Sequence, residues 1–309
     1  LAERPPRAPR YPDLDVTLEE HREGAISAEV AAARLVLAGH RPAPLAERLA
    51  RTPGGEAVAD VLRAHPDGAE RLALAAQALR GDPPPGDGLE QQRSVYERLA
   101  AIDPAIAVAA YTFGDAALLD RATDELAELL RRWDLLGPGA SVVDVGCGIG
   151  RLAARIAPRA GRVLGLDLSP AMVAEARARC GHLPGVRFEL ADGRSLRPAE
   201  DGSADLVLAV DCMPSARMAG ADAAEALQGA MARSLAPGGR ILVMNYSYRG
   251  DVGADRRDVR AWARSAGLDV LRDGTRDLSL WDGRAFLLAD ARPHGRGAGI
   301  RPPSPPRPE

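Results

Sequence analysis

The 309-residue chain has no lysine, and its 40 basic residues are all arginine. Chemistries that need a lysine amine are thereby closed to it. It cannot form a Schiff base with a carbonyl substrate or cofactor, and it cannot supply the lysine that a phosphate-cradling P-loop sets against the phosphates. Asparagine occurs once, at Asn245, and aromatic residues make up only 4% of the sequence. A GC-rich genome, which depletes AT-rich codons, accounts for all of these scarcities. Residues of the depleted kinds that persist are therefore informative. Three cysteines, Cys147, Cys180 and Cys212, are too few and too scattered for a disulfide framework or a zinc cluster. A reducing, cytoplasmic setting is expected. No apolar run approaches the roughly 18 residues of a membrane span, and the Arg- and Pro-rich start lacks the apolar centre of a secretory signal. A formal net charge of −3 gives no support to a dedicated nucleic-acid binder.

Organisation follows from the breakers. Residues 1–13 and the proline-rich tail, 294–309, are expected to be disordered. Between 14 and 80, alanine- and leucine-rich stretches separated by Gly39, Pro53-Gly54-Gly55 and Pro66 predict a small helical module. Thr17 and Glu20 have capping-box spacing, and Ser27 suits an N-cap. The module reads as a scaffold, a surface for a homodimer through its helices, or a partner-docking lid. Residues 81–89, with Gly81-Asp82-Pro83-Pro84-Pro85-Gly86, predict a linker, and 90–136 a helical cap leading into the core.

From 137 to 293 the pattern changes. Short apolar runs at 141–145, 162–166, 186–190, 205–210 and 240–244 alternate with helical stretches, which predicts a parallel sheet covered on both faces. Two further strands, 268–272 and 285–289, follow without an intervening helix. The fold class is α/β: a doubly wound, mostly parallel seven-stranded sheet with an antiparallel edge strand, preceded by an all-α N-terminal region.

The first strand runs into Asp144-Val145-Gly146-Cys147-Gly148-Ile149-Gly150, an acidic strand end followed by a glycine-rich turn and a helix. Glycines there permit a sharp turn and close approach to a ligand. Asp167, at the next strand end, can accept two hydrogen bonds from ribose hydroxyls. A dinucleotide reading of the turn meets Arg151 where a small residue belongs. A shifted reading over Gly148-Ile149-Gly150-Arg151-Leu152-Ala153 fits an NAD(P)-dependent oxidoreductase but leaves Asp144 unexplained.

These segments resemble the class I S-adenosylmethionine-dependent methyltransferases. Asp144–Gly150 resembles their first motif, Leu166-Asp167-Leu168-Ser169 with Met172 their second strand end, and Phe188–Gly193 their third. Ala204–Leu208 resembles the fourth strand, with Ala204 where an aromatic is common, and Leu235–Leu242 the helix–turn–strand signature before strand five. The five matches occur in order across about half of the chain. The resemblance implies S-adenosylmethionine as cofactor, held by Asp144, Gly146, Cys147, Gly148, Asp167, Leu168, Met172, Asp192, Gly193 and Asp211. Asp144 and the turn amides would take the methionine end, Asp167 the ribose and Asp192 the adenine. The resemblance says little about the acceptor; a small molecule methylated at oxygen, nitrogen or carbon by in-line displacement is expected, with no nucleic acid or membrane as partner.

The acceptor site is expected beyond strands four and five, where ligands of doubly wound sheets sit. Asp211, Tyr246 and Tyr248 are the candidate catalytic residues, since without lysine the base must come from a carboxylate, histidine, tyrosine or cysteine. Tyr111, Phe113, Met213, Asn245, Tyr246 and Arg249 are the candidate substrate contacts. Each has a plainer alternative: Asp211 as a strand-end carboxylate satisfied by amides, the tyrosines as packing, Asn245 as a turn residue, Arg249 as a surface charge, Cys147 as a turn filler. Asp211 and Asn245 loosely echo a magnesium site, but Met244 stands where a further ligand belongs, so no metal is expected. A non-catalytic protein that binds S-adenosylmethionine and docks a partner through its N-terminus is the remaining alternative.

Overall fold

Seven strands form one sheet: β1 Ser141–Val145, β2 Arg162–Asp167, β3 Val186–Leu190, β4 Ala204–Val210, β5 Leu235–Met244, β6 Leu268–Thr275 and β7 Ala285–Asp290, in the order β3-β2-β1-β4-β5-β7-β6. The structure is a computed structural model that describes residues 11–80 and 86–291. β1 to β5 run parallel, and β7 lies antiparallel between β5 and β6. The doubly wound architecture is as expected, with the antiparallel strand second from the edge. β5 begins five residues before the expected strand. Leu235 pairs with Ala204, the register shifts across Pro237-Gly238-Gly239, and Arg240 then pairs with Leu206. β6 pairs with β7 through two register shifts of its own.

Strand side chains alternate between faces, and here both faces are covered. Val142, Leu206, Leu208, Leu242 and Leu287 enter one apolar cluster, while Val143, Val207, Ile241 and Val243 enter the other. This double burial is why the strands read as unbroken apolar runs.

Five helices precede the linker region: α1 Leu14–Arg22, α2 Ala28–Leu37, α3 Pro42–Leu49, α4 Glu56–Ala64 and α5 Pro66–Arg80. Then come α6 Gly88–Ile102, α7 Pro104–Val108, a 3-10 turn at Ala110–Thr112 and α8 Ala116–Arg132. Within the α/β region lie α9 Arg151–Ile156, α10 Pro170–Cys180, α11 Met213–Ala219, α12 Ala221–Ser234 and α13 Val252–Ala266. Leu18, Leu35, Leu49, Val58 and Leu72 of the N-terminal helices share one continuous cluster with Leu208, Leu242 and Leu287 of the sheet. The module therefore packs on the same face of the sheet as α8, α9 and α10.

The helix starts differ instructively from expectation. Asp13, not Thr17, caps α1, accepting from the Val16 amide at 3.0 Å. Thr17 is fully buried inside the helix, because Leu14 and Leu18 both need the core and draw the first turn upstream. Of residues 1–13, expected to be disordered, 1–10 lie outside the described residues, and Tyr11-Pro12-Asp13 lead directly into α1. The linker's residues 81–85 and the tail, 294–309, also lie outside the described residues. Asp87 already forms a capping box with Glu90 and starts α6 at Gly88. α5 starts at Pro66, since proline suits the first position of a helix. Among the described residues no helix is long and apolar enough to cross a membrane.

Ser27 does cap α2, accepting from the Val30 amide at 3.1 Å, and its hydroxyl donates to the Leu280 carbonyl at 2.9 Å. Beside it Arg34 is ion-paired with both Glu20 and Asp282. Ser27 thus serves its own helix and ties the module to the loop before β7. Ser27→Ala is expected to lower the free energy of unfolding by about 1–2 kcal/mol, read from the urea midpoint at unchanged m-value.

Candidate active site

The turn after β1 is built from backbone that only glycine adopts readily. Gly146, Gly148 and Gly150 have φ of +70°, +53° and +74°. A Cβ on Gly146 would lie 2.5 Å from the Cys212 Cβ, and one on Gly148 would lie 2.5 Å from Val108 Cγ1. The turn is tied to the end of β2: the Gly146 and Cys147 amides donate to the Leu166 carbonyl at 2.7 and 3.0 Å, and the Gly148 amide donates to Asp167 Oδ2 at 2.8 Å. The sequence reading gave these turn amides to a ligand. In the structure they are engaged by β2, so the turn shapes the site more than it binds through it.

Four carboxylates sit at the carboxyl ends of the parallel strands, in contrasting states. Asp144, on β1, is 3% exposed and its side chain has no hydrogen-bond partner among the described residues. Burial pushes its pKa up to about 7, opposed by the charge of Arg151 and reinforced by that of Asp167. Asp167 is also raised by burial, against the Ser169 and Gly148 amides that it accepts. Asp192 faces solvent. Burial is the largest single influence and raises its pKa, but the Arg194 and Ser195 amides and the Ser195 hydroxyl, at 2.7–2.9 Å, together outweigh it and hold the pKa low. Asp211, beyond β4, has φ +59°. Burial drives it up to about 7 against hydrogen bonds from Asn245 Nδ2, at 2.7 Å, and from the Tyr248 hydroxyl.

A cavity of about 1140 Å³, measured out to its open mouth, joins these strand ends. Asp144, Gly146, Cys147, Gly148, Asp167, Leu168, Met172, Gly193 and Asp211 line it, nine of the ten expected cofactor contacts. Asp192 does not, because its carboxylate is turned into its own loop. From α6 come Leu89, Gln92 and Tyr96, which the sequence reading missed. Glu97, one residue on, accepts from the Ser169 hydroxyl and, at 3.0 Å, from the Ala171 amide. It pins α6 to the start of α10.

The acceptor-side expectations divide. Asp211, Asn245 and Tyr248 are brought together, and Tyr111, stacked on Trp281 with centroids 6.4 Å apart, lies close enough to feel the charge of Asp211. The others are placed elsewhere. Tyr246 is 2% exposed in the opposite cluster, its hydroxyl accepting from Arg217 and Gln228 and its ring edge-on to Phe286. One residue of strand-end register separates it from Asn245, and that flips its side chain to the other face of the sheet. Met213 is buried at the start of α11, a helix absent from the expectation. Phe113 is 1% exposed and stacks on His65. Arg249 is held by Asp255 and Asp258 at 2.7 and 2.9 Å. Among the described residues no group of three or more His, Cys, Asp or Glu is arranged to hold a metal ion.

Comparison with known proteins bears directly on this cavity. Residues 142–239, from β1 into β5, match the family model for a methyltransferase domain. This segment is similar to methyltransferase domains, and its ordered motifs resemble those of the class I S-adenosylmethionine-dependent methyltransferases. The chain is 44% identical over 128 residues to a trans-aconitate 2-methyltransferase of Methylobacterium nodulans, a match covering 40% of this chain and 45% of that protein. It is 40% identical over 146 residues to an uncharacterized 37.1 kDa protein in transposon TN4556 of Streptomyces fradiae, covering 44% and 39%. The chain thus spans less than half the length of these two relatives. A phosphoethanolamine N-methyltransferase of Haemonchus contortus, solved with phosphoethanolamine and S-adenosylhomocysteine, shares the fold at a TM-score of 0.50 and 15% identity, over 69% of this chain and 51% of that one.

The residues present suit the methyltransferase cofactor. Asp144 is an enclosed carboxylate with no partner of its own, the complement of an ammonium group, and Asp167 stands one strand away with two amides fixing its orientation. The sign of the linkage follows from Asp144. Its folded pKa, about 7, lies above its unfolded value of 3.8, so the stability it contributes is complete below pH ~4 and is lost as pH rises through 7. Asp144→Asn should therefore stabilise the ligand-free protein relative to the parent, with a gap that widens from pH 5 to pH 8 to on the order of a few kcal/mol. Melting temperatures of both proteins across that range test it.

Proposed function

We propose that the protein transfers a methyl group from S-adenosylmethionine to a small-molecule acceptor. The observation that carries this reading is the cavity that joins the unpartnered Asp144 and the oriented Asp167 to a third enclosed carboxylate, Asp211. The cofactor supplies an electrophilic methyl on a sulfonium centre. Asp144 holds the methionine ammonium, Asp167 accepts the ribose hydroxyls, and Gly193 and Ser195 border the adenine end. Asp192, engaged in its own loop, shapes that border without reaching the base.

The remaining work is alignment and proton removal. An in-line displacement needs acceptor and methyl held in register within a dry space, which Leu89 and Tyr96 of α6 and Val108 of α7 help to provide. Asp211 takes the acceptor's proton, with Asn245 and Tyr248 as positioning residues that orient its carboxylate. Tyr246 supports the sheet from the far face. In this division the segment 137–293 binds the cofactor, while the cap, 90–136, and the module, 14–80, close the acceptor end. A homodimer through the N-terminal helices would use their outward surface, where Leu74 is 53% exposed. The three free cysteines fit a reducing, cytoplasmic setting.

Calorimetric titration tests the cofactor assignment. S-adenosylhomocysteine should bind saturably and NAD(H) should not, and Asp167→Ala should weaken binding by about 10- to 100-fold through two lost charge-assisted hydrogen bonds. The opposite ligand preference would point to an oxidoreductase. At saturating cofactor, which keeps Asp144 ionised, methyl transfer should rise with pH through about 7 as Asp211 loses its proton. Asp211→Asn should remove that rise and lower kcat by about 10²- to 10⁴-fold while cofactor affinity holds. A parent rate independent of pH between 5 and 9 would remove Asp211 from the role of base.

A further inference from the structure

Two opposite charges face the cavity at the strand ends without meeting. Asp144, on β1, is buried, and its carboxylate has no hydrogen-bond or ion-pair partner among the described residues. Arg151, the first residue of α9, is the one cationic side chain among the described residues that line the same cavity. It forms no ion pair with any described carboxylate. Its hydrogen bond runs from Nη1 to the Thr123 hydroxyl of α8, at 3.0 Å. Thr123 is buried and its hydroxyl donates its own proton to the Leu119 carbonyl at 2.7 Å, so it meets the guanidinium as an acceptor. A neutral group thus fixes the Arg151 side chain and leaves its charge uncompensated.

Nothing in the helix itself asks for arginine here. A cation in the first turn opposes the helix dipole. Arg155, one turn along α9, is paired with both Asp120 and Asp124 of α8, whereas toward Arg151 the same helix presents only Thr123. The unpaired guanidinium is half-buried at the cavity wall instead of being released to solvent. It is also the largest charge influence on Asp144, so the two groups lie within electrostatic reach of each other while each lacks a counter-ion. A ligand of one charge would satisfy one of them. A zwitterion satisfies both, and in an α-amino acid the ammonium and carboxylate stand on a single carbon, as two opposite charges on one wall require. A guanidinium also meets a carboxylate through a fork of parallel N–H donors.

We propose that Arg151 binds the carboxylate at the amino-acid end of S-adenosylmethionine, opposite Asp144 on the ammonium, with Thr123 as the positioning residue that aims the guanidinium. This rests on the methyltransferase reading and deepens it, since the cavity then recognises both charges of the methionine portion. Two observations make the cofactor, not the acceptor, the source of the carboxylate. Arg151 directly follows the glycine turn Gly146–Gly150. Its charge is the foremost one acting on Asp144, whereas on Asp211 that of Asp282 exceeds it.

The full chain is titrated calorimetrically with S-adenosylhomocysteine and with its decarboxylated analogue, which keeps the ammonium and carries hydrogen in place of the carboxylate. The parent should bind S-adenosylhomocysteine about 10- to 100-fold more tightly than the analogue. Arg151→Met should abolish that preference by weakening S-adenosylhomocysteine alone, with unchanged affinity for the analogue as the check on folding. Arg151→Lys, which keeps the charge but not the fork of donors, should retain part of the preference. Thr123→Val should shrink the preference by about 3- to 10-fold, and Thr123→Ser should restore it. Equal or inverted affinity of the parent for the two ligands overturns the assignment and leaves the methyltransferase reading intact. So does a preference that survives in Arg151→Met, the outcome if Arg151 serves a carboxylate on the acceptor. An equal loss of both ligands in Arg151→Met and Arg151→Lys overturns it too. A parent that binds neither ligand overturns both readings.

Discussion

Holding carboxylates away from water at the ends of parallel strands is the constraint around which the molecule is arranged. Asp144 and Asp211 are each raised to about 7 by desolvation, so the enclosure around them has to be supported by the rest of the chain. That support is visible. Two amides of the glycine turn are drawn onto the Leu166 carbonyl and a third onto Asp167, which leaves Asp144 without a partner and fixes the turn against β2. Asn245, at φ +63°, places its amide on Asp211. The strained backbone at Asp211 and Asn245 is thus part of how the second carboxylate is aimed.

The helices before the sheet complete this enclosure. α6 is clamped to α10 through Glu97 and to α11 through Tyr96, and its first residue lies so near Ala219 that a Cβ on Gly88 would fall 1.9 Å from the Ala219 carbonyl oxygen. The N-terminal module shares its apolar cluster with the sheet and reaches the loop before β7 through Ser27 and Arg34. The cavity at the strand ends is therefore walled by helices that precede the sheet as well as by the sheet itself.

Sequence patterns were a good guide where the physics is local. Apolar runs buried on both faces, a glycine turn between strand and helix, and acidic strand ends all leave period or spacing in the sequence, and the sheet and nine of the residues that line its cavity were legible from them. Contacts that depend on long-range packing left no such trace. Tyr96 and Glu97 sit in a helix with no motif, and Asp87 rather than a proline-rich linker sets where that helix begins. Tyr246 was misplaced because its scarcity was legible but its face of the sheet was not. Thr17 had the spacing of a cap, yet burial of Leu14 and Leu18 decided the start of α1.

The edge strand β6 pairs with β7 through two interruptions of register, at Val270/Arg272 and Asp273/Thr275. At the opposite edge β3 alternates Arg187 and Glu189 outward, in contact with each other and, through Glu189, with Arg177. An edge that breaks step twice offers another chain no long ladder to continue, and a charged one discourages a neutral strand from docking. Growth of this sheet from copy to copy is disfavoured at both ends, so the molecule can crowd without polymerising through its strands.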